Sequence, residues 1–219
     1  DRCLKCGICS ECYQCVKACL ADAIDHNQFA VERNIDVGSV ILCPGNDAYD
    51  PSVLEDIYHY QSCPNVLTST EFERILSASG PTMGHLVRMS DHKEPKRIAW
   101  LQCIGSRDTN RCGNEYCSSV CCMYAIKEAM IATEHAGGNL ETVIFNMDIR
   151  TFGKDYEKYY RRAQDEAGVA FVKARIHTID VIPETQNLLL RYVDEAGNIN
   201  QQEFDMVVLS VGLQVPQST

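Results

Sequence analysis

The sequence predicts an α/β fold: a Rossmann-like parallel sheet with an antiparallel β layer, preceded by a short cysteine-rich segment. Three observations carry this. The apolar run "KRIAWLQCIG" is followed by a helix-period stretch and then by a second apolar run, "ETVIFNMD", which together read as a β-α-β unit. Later apolar runs are separated by "EAGN", a hairpin-type turn. Six cysteines crowd between Cys3 and Cys19, where apolar content is too low for a core of its own.

Element by element, residues 1–28 form the cysteine-rich segment. "NIDVGSVILCPG" predicts a buried strand from Val37 to Leu42 that ends in the turn Pro44-Gly45. The stretch to Lys96 is irregular, with a short helix in "TEFERILSAS" capped by Ser69 or Thr70 and a loop at "SGPTMGH". The β-α-β unit then places its helix over Ser118 to about His135, ended by Gly137-Gly138. A second helix runs from Lys154 to about Glu166. Strands follow in "VAFVKARIHTIDVIP", "QNLLLRYVD" and "FDMVVLSVGL", the last continuously apolar and so central to a sheet. The expected division is 1–28, a connecting segment 29–95, and a Rossmann-like domain 96–219.

Composition narrows the function. The net charge of -10 and the lack of a basic cluster argue against nucleic acid and anionic membrane surfaces as partners. No apolar run reaches the length of a membrane span and no signal peptide precedes the first cysteine, so the expected location is the cytoplasm. A start without methionine, two residues before a cysteine, is expected of a piece of a longer polypeptide. Thirteen cysteines are an odd number, which excludes a fully paired disulfide framework within one chain. Metal or redox chemistry is the leading reading.

Cysteine spacing sharpens it. Cys9, Cys12, Cys15 and Cys19 have the x2, x2, x3 spacing of bacterial ferredoxin ligands, in which a tight turn points successive thiolates at one cubane. Cys6 could replace Cys9, and Cys3 and Cys6 could serve a second cluster. Zinc is the competing reading, although zinc sites usually separate their two cysteine pairs by a longer loop. In the second group, Cys103 ends a strand, and Cys117, Cys121 and Cys122 open the next helix. A dinucleotide-binding unit would carry G-x-G-x-x-G at that turn. Here cysteines stand where the phosphate would sit, and the helix N-terminus supplies partial positive charge for thiolates. Four ligands suffice for a cubane. Cys112, between Arg111 and Gly113 on an expected exposed loop tip, is the spare one. Redox-active thiols and zinc remain the alternatives for this group.

The turns "VILCPG" and "VVLSVGLQVP" resemble each other and bracket the β-α-β unit, as where a chain leaves one nucleotide domain for another in two-dinucleotide flavoproteins. Arg150, Lys154, Arg161 and Arg162 read as a solvated helix face, Tyr156, Tyr159 and Tyr160 as packing residues, and Cys43 and Cys63 as inert. His26, His59, His85, His92, His135 and His177 show no ligand spacing.

With these motifs, the sequence resembles the family of heterodisulfide reductase A-subunits of anaerobic archaea and bacteria, through "ACLADAIDH", "VGSVILCPG", "SASGPTMGH", "LQCIGSRD", "YCSSVCCMYAIKEA", "DIRTFGKDYEKYYRRAQDE" and "VVLSVGL". The resemblance implies a nucleotide-disulfide oxidoreductase body carrying ferredoxin-type clusters and one more [4Fe-4S] cluster, whose ligands map to Cys103, Cys117, Cys121 and Cys122. It implies FAD in the complete protein, and it places 29–95 on the FAD-domain side. The family's flavin-binding G-x-G-x-x-G segment is missing here. "LCPG" stands where an alanine-threonine-glycine turn is usual, and Leu20 where proline commonly follows Cys19. The implied function is single-electron relay between FAD and partner subunits, with a hydrogenase or dehydrogenase as electron source. In the best-understood members this is flavin-based electron bifurcation. Two readings from other classes stay open: a thiol-disulfide oxidoreductase using Cys121 and Cys122, and a zinc-stabilised binding module.

Overall fold

The computed structural model of the protein describes residues 13–216. The chain divides between Cys43 and Pro44 into two units. In the first, the described residues hold one short helix, α1 (Gln14–Ala18), entered through Tyr13 in a left-handed conformation at φ 58°. The strand expected over Val37–Leu42 does not form, and Val37, Val40, Ile41 and Leu42 are exposed. An apolar run becomes a strand only when a neighbour pairs its backbone, and no strand lies among the described residues of this unit.

The second unit begins with β1 (Asp47–Ala48), a 3-10 turn (Pro51–Leu54), α2 (Glu55–Tyr58), β2 (Val66–Thr68) and α3 (Ser69–Leu76). The β-α-β unit follows as β3 (Arg97–Ile104), α4 (Cys121–His135) and β4 (Glu141–Asn146), then α5 (Tyr156–Asp165) and β5 (Ala170–Lys173). The remaining strands are β6 (Ile179–Val181), β7 (Leu188–Val193), β8 (Ile199–Phe204), β9 (Met206–Val211) and β10 (Leu213–Gln214).

Five strands form a parallel sheet in the order β2-β9-β3-β4-β5. β9 lies inside it with all six residues buried, as its uninterrupted apolar sequence requires. Alternation along the strands assigns the two faces. Ile98, Trp100, Ile144, Met206 and Val208 pack with Phe72 of α3 and Ile126 and Ala129 of α4. Ala99, Leu101, Phe145, Val207 and Leu209 pack instead with Ile179, Leu188, Leu190 and Phe204 of the antiparallel sheet β6-β7-β8. The result is three layers, helices over parallel sheet over antiparallel sheet, in agreement with the expected Rossmann-like α/β class.

Local differences from the expected boundaries have physical causes. Val66–Thr68 pairs with Val207–Leu209, so residues assigned to the connecting segment supply an edge strand of the main sheet. Thr68, one residue before the expected cap, caps α3: its hydroxyl accepts from the Glu71 N–H while the Glu71 carboxylate accepts from the Thr68 N–H. A glutamate three residues on selects Thr68 through the capping box. α4 starts at Cys121 and not Ser118, because Ser119 is left-handed at φ 64°. The long run after Gly168 breaks into β5 and β6, leaving one sheet to join the other.

At the centre of the helical layer, Trp100 Nε1 donates to Glu128 Oε2 at 2.9 Å, with both residues buried. Burial raises the Glu128 carboxyl well above the usual carboxylate range, and its other oxygen has no partner. The folded state therefore holds Glu128 protonated where the unfolded chain ionises it. Its contribution to stability is full below the unfolded pKa of about 4.3 and declines as pH rises, by up to about 1.4 kcal/mol per pH unit, until the folded pKa is reached. Glu128→Gln keeps an acceptor for Trp100 and cannot ionise. It is expected to be at least as stable as the unsubstituted chain at pH 7, with the gap widening between pH 5 and 7 in urea titrations; a gap that narrows contradicts a protonated Glu128.

Candidate metal centre

Ligands of open parallel sheets sit beyond the carboxyl ends of the strands, and here those ends meet the second cysteine group. β3 closes on Cys103, which is buried and left-handed at φ 64°, at a register shift between Leu101 and Ile104. Such a bulge turns a side chain out of the ladder's alternation. β9 ends at Val211, whose carbonyl accepts from Cys121 Sγ at 3.5 Å and from the Tyr124 hydroxyl. Beyond β4, the Asp148 carbonyl lies 3.9 Å from Cys122 Sγ.

The loop between β3 and α4 is tied down along its length. Arg107 N–H donates to the Tyr116 carbonyl at 3.0 Å, and Asn114 Nδ2 to the Gly105 carbonyl at 2.8 Å. Gly212 N–H donates to the Ile104 carbonyl at 2.8 Å, Leu213 N–H to Ser118 Oγ at 2.9 Å, and the Tyr116 hydroxyl to the Leu213 carbonyl at 2.9 Å. The two similar glycine turns of the sequence are followed by β1 and β10, which pair with each other, and Tyr49 N–H donates to the Gly212 carbonyl at 2.8 Å.

Cys103, Cys121 and Cys122 are buried and Cys117 half-buried. Burial first, with the charges of neighbouring cysteines, Cys103 and Cys117 among them, pushes the Cys121 and Cys122 thiols up to about 11 each. Cys103 is raised in the same way, by burial first and with Cys117 contributing. α4 opens on Cys121 and Cys122 with no side-chain cap on its first turn and no acidic residue there, so its N-terminal field faces the thiols unopposed. Among the described residues, no three His, Cys, Asp or Glu side chains converge on one point as a single ion requires. Four thiols at one end of the sheet are the number a [4Fe-4S] cluster takes, one for each iron. The donor set fits a [4Fe-4S] group.

Cys112 departs from expectation. It is half-buried and not on an exposed tip, accepting from the Tyr49 hydroxyl at 3.3 Å, while the neighbouring Arg111 is held by Asp56 at 2.6 Å. Of the first cysteine group, Cys9 and Cys12, like Cys3 and Cys6, lie outside the described residues. Cys15 is exposed with its sulfur 3.7 Å from His26 Nε2, a proximity that the spacing of His26 does not signal. Cys19 is half-buried and accepts from Ala23 N–H at 3.4 Å, and backbone N–H groups of Ala23 and Ala21 lower its pKa. Cys43 is exposed and Cys63 buried in the core. Tyr160 packs edge-on against Phe171, and Arg161 pairs with Glu157, as a packed and a solvated position do. Sequence reasoning missed Arg107 and Asp148, which form an ion pair at the strand ends near Cys122. Their signals were available: Arg107 follows Cys103 in "CIGSRD", and Asp148 stands at the carboxyl end of a strand.

Fold and site together define a Rossmann-like α/β domain that carries cysteines at the turn where such a domain can carry a nucleotide-phosphate loop. Over nearly its whole length the chain is similar to heterodisulfide reductase A-subunits. It is 44% identical over 214 residues to the iron-sulfur A-subunit of CoB–CoM heterodisulfide reductase from Methanocaldococcus jannaschii, covering 97% of this chain and 31% of that protein. To the A-subunit of the H2/formate:CoB-CoM heterodisulfide,ferredoxin reductase from Methanococcus maripaludis it is 47% identical over 195 residues, 89% of this chain and 29% of the relative. The chain thus spans about a third of the length of these relatives. No family model matches it. A solved 2-naphthoyl-CoA reductase complex is a faint structural likeness, with a TM-score of 0.45 at 12% identity over 77% of this chain and 19% of that one, and supports no functional argument. No helix among the described residues is long and apolar enough to cross a membrane.

Proposed function

We propose that the chain is the cluster-bearing part of an electron-transfer subunit, holding one [4Fe-4S] cluster on Cys103, Cys117, Cys121 and Cys122 and a second on Cys9, Cys12, Cys15 and Cys19. Such a cluster, when bound, takes up and releases one electron at a time. The observation that carries the reading is the placement of Cys103, Cys117, Cys121 and Cys122, three of them buried, at the strand ends before an uncapped helix.

The residues supply binding, orientation and exclusion of water. The bulge at Cys103 and the loop hydrogen bonds orient the thiols, and burial keeps solvent from the sulfurs, which with hydrogen bonding sets a cluster's potential. Burial also disfavours the thiol-disulfide alternative. A nucleophilic cysteine needs a lowered pKa, whereas Cys121 and Cys122 stand near 11 without metal. In the complete cytoplasmic protein, FAD would exchange electrons with these clusters. Partner subunits of a heterodisulfide-reductase-like complex and a hydrogenase or dehydrogenase would supply and consume them, in an arrangement suited to flavin-based bifurcation. The names of the relatives, an iron-sulfur subunit in one case and part of a ferredoxin-linked reductase in the other, support this.

The test is spectroscopic. Protein prepared without air is expected to be brown, with absorption bleached by dithionite and a paramagnetic signal appearing on reduction. A colourless folded protein containing zinc, or one with only titratable thiols, refutes the reading.

A further inference from the structure

We propose that Arg107 is a fixed cation at the cysteine site, held at the ends of β3 and β4 by Asp148, and that it biases the bound cluster toward its reduced state. The inference rests on the cluster reading of this site.

Arg107 is fixed from three directions. Its backbone is left-handed at φ 53°, and its N–H is bonded to the Tyr116 carbonyl next to Cys117 at 3.0 Å. Its guanidinium forms an ion pair with Asp148 Oδ1, and its side chain is 24% exposed, so the charge is partly withdrawn from water. Its pairing with Asp148 places the guanidinium beyond the carboxyl ends of β3 and β4, where the cysteines lie. Asp148 is the hub. Its second oxygen accepts from Arg150 Nε at 3.2 Å, and its backbone carbonyl faces Cys122 Sγ at 3.9 Å. Two guanidiniums on one carboxylate leave a net positive charge beside Cys122.

The consequence follows from charge balance. One-electron reduction adds one negative charge to a thiolate-bound cluster and breaks no bond; the electron comes from a one-electron donor, dithionite in the test below. An arginine cannot lose its proton in a protein, and one already locked in place needs no rearrangement to meet the added charge. Charges and hydrogen bonds around the sulfurs are recognised determinants of cluster potential. Arg107 therefore acts as a positioning and tuning residue and not as a ligand.

The experiment titrates the full chain, purified anaerobically, against dithionite while following the paramagnetic signal, with iron content measured first. Cys15→Ser and Cys19→Ser are carried in every protein so that a single cluster is titrated. Arg107→Gln is expected to keep its iron and to shift the reduction equilibrium at least tenfold toward the oxidised state, which for one electron is about 59 mV lower. Asp148→Asn removes the neutralising carboxylate and is expected to shift it the opposite way. A merely structural role would not give opposite signs. Unchanged equilibria, or shifts of the same sign, in two iron-loaded variants overturn the proposal. If Arg107→Gln loses its iron, Asp148→Asn decides: an upward potential supports the proposal and an unchanged or lower one overturns it. Absence of iron from the parent protein instead refutes the cluster reading itself.

Discussion

Trp100→Ala is expected to destabilise the Rossmann-like unit by about 4 kcal/mol or more, since emptying a buried tryptophan site costs about 3–5 kcal/mol and leaves a buried acceptor without its donor. Trp100 is fully buried in the middle of β3, on the face covered by α3 and α4. Its ring meets Phe72 edge-on at 5.4 Å between centroids. Its Nε1–H is the hydrogen bond that Glu128 has, and Glu128 sits two turns along α4 from Cys121 and Cys122. Trp100→Phe separates the two contributions, keeping most of the aromatic packing and removing the donor, for a loss of about 1–3 kcal/mol. Urea unfolding of the three proteins checks this, and equal losses for Phe and Ala would show that the hydrogen bond, and not the packing, dominates.

Gly105→Ala is the second large effect, and it falls on the cysteine loop itself. Gly105 has φ +74°, and a Cβ there would lie 2.1–2.5 Å from ring atoms of Tyr49. A ring is not the far end of a flexible chain, and Tyr49 is buried, hydrogen-bonded to Cys112 through its hydroxyl and to Gly212 through its N–H. The substitution must displace Tyr49 or the turn after Cys103. Left-handed strain of about 1–3 kcal/mol adds to overpacking of about 1–3 kcal/mol. The expected outcome is a loss of about 2–6 kcal/mol in urea unfolding with reduced metal content in what folds. Gly113→Ala, where a Cβ would meet nothing within 4 Å at φ +68°, is the control and should lose about 1 kcal/mol from conformation alone. Equal losses at the two glycines would show that contact with Tyr49 is unimportant.

Much of this architecture was legible in the sequence because period and punctuation agree there. The apolar runs of β3, β4 and β9 are buried on both faces, so they read as continuous stretches, and the interior place of β9 followed from that alone. Val37–Leu42 misled for the complementary reason. Its composition is that of a buried strand, but pairing depends on a partner that local sequence does not encode. β2 was missed because three residues carry too little period to register, and it is recruited by the edge of β9. At the site, clustering and spacing brought Cys103, Cys117, Cys121 and Cys122 into view, since one strand end and the start of the next helix carry three of them. Cys112 was misplaced because its burial comes from Tyr49, 63 residues away. Asp148 and Arg107 were likewise invisible as a pair, being 41 residues apart and joined only by the parallel register of β3 and β4.

The central claim is that the second cysteine group holds a four-iron cluster. Counting iron and acid-labile sulfide per chain tests it most directly, on protein prepared without air, beside the variant Cys121→Ser/Cys122→Ser. The account predicts about four fewer irons and four fewer sulfides in the variant than in the unsubstituted chain, with both proteins folded. Equal iron in the two, or a folded unsubstituted chain with neither iron nor sulfide, would contradict it.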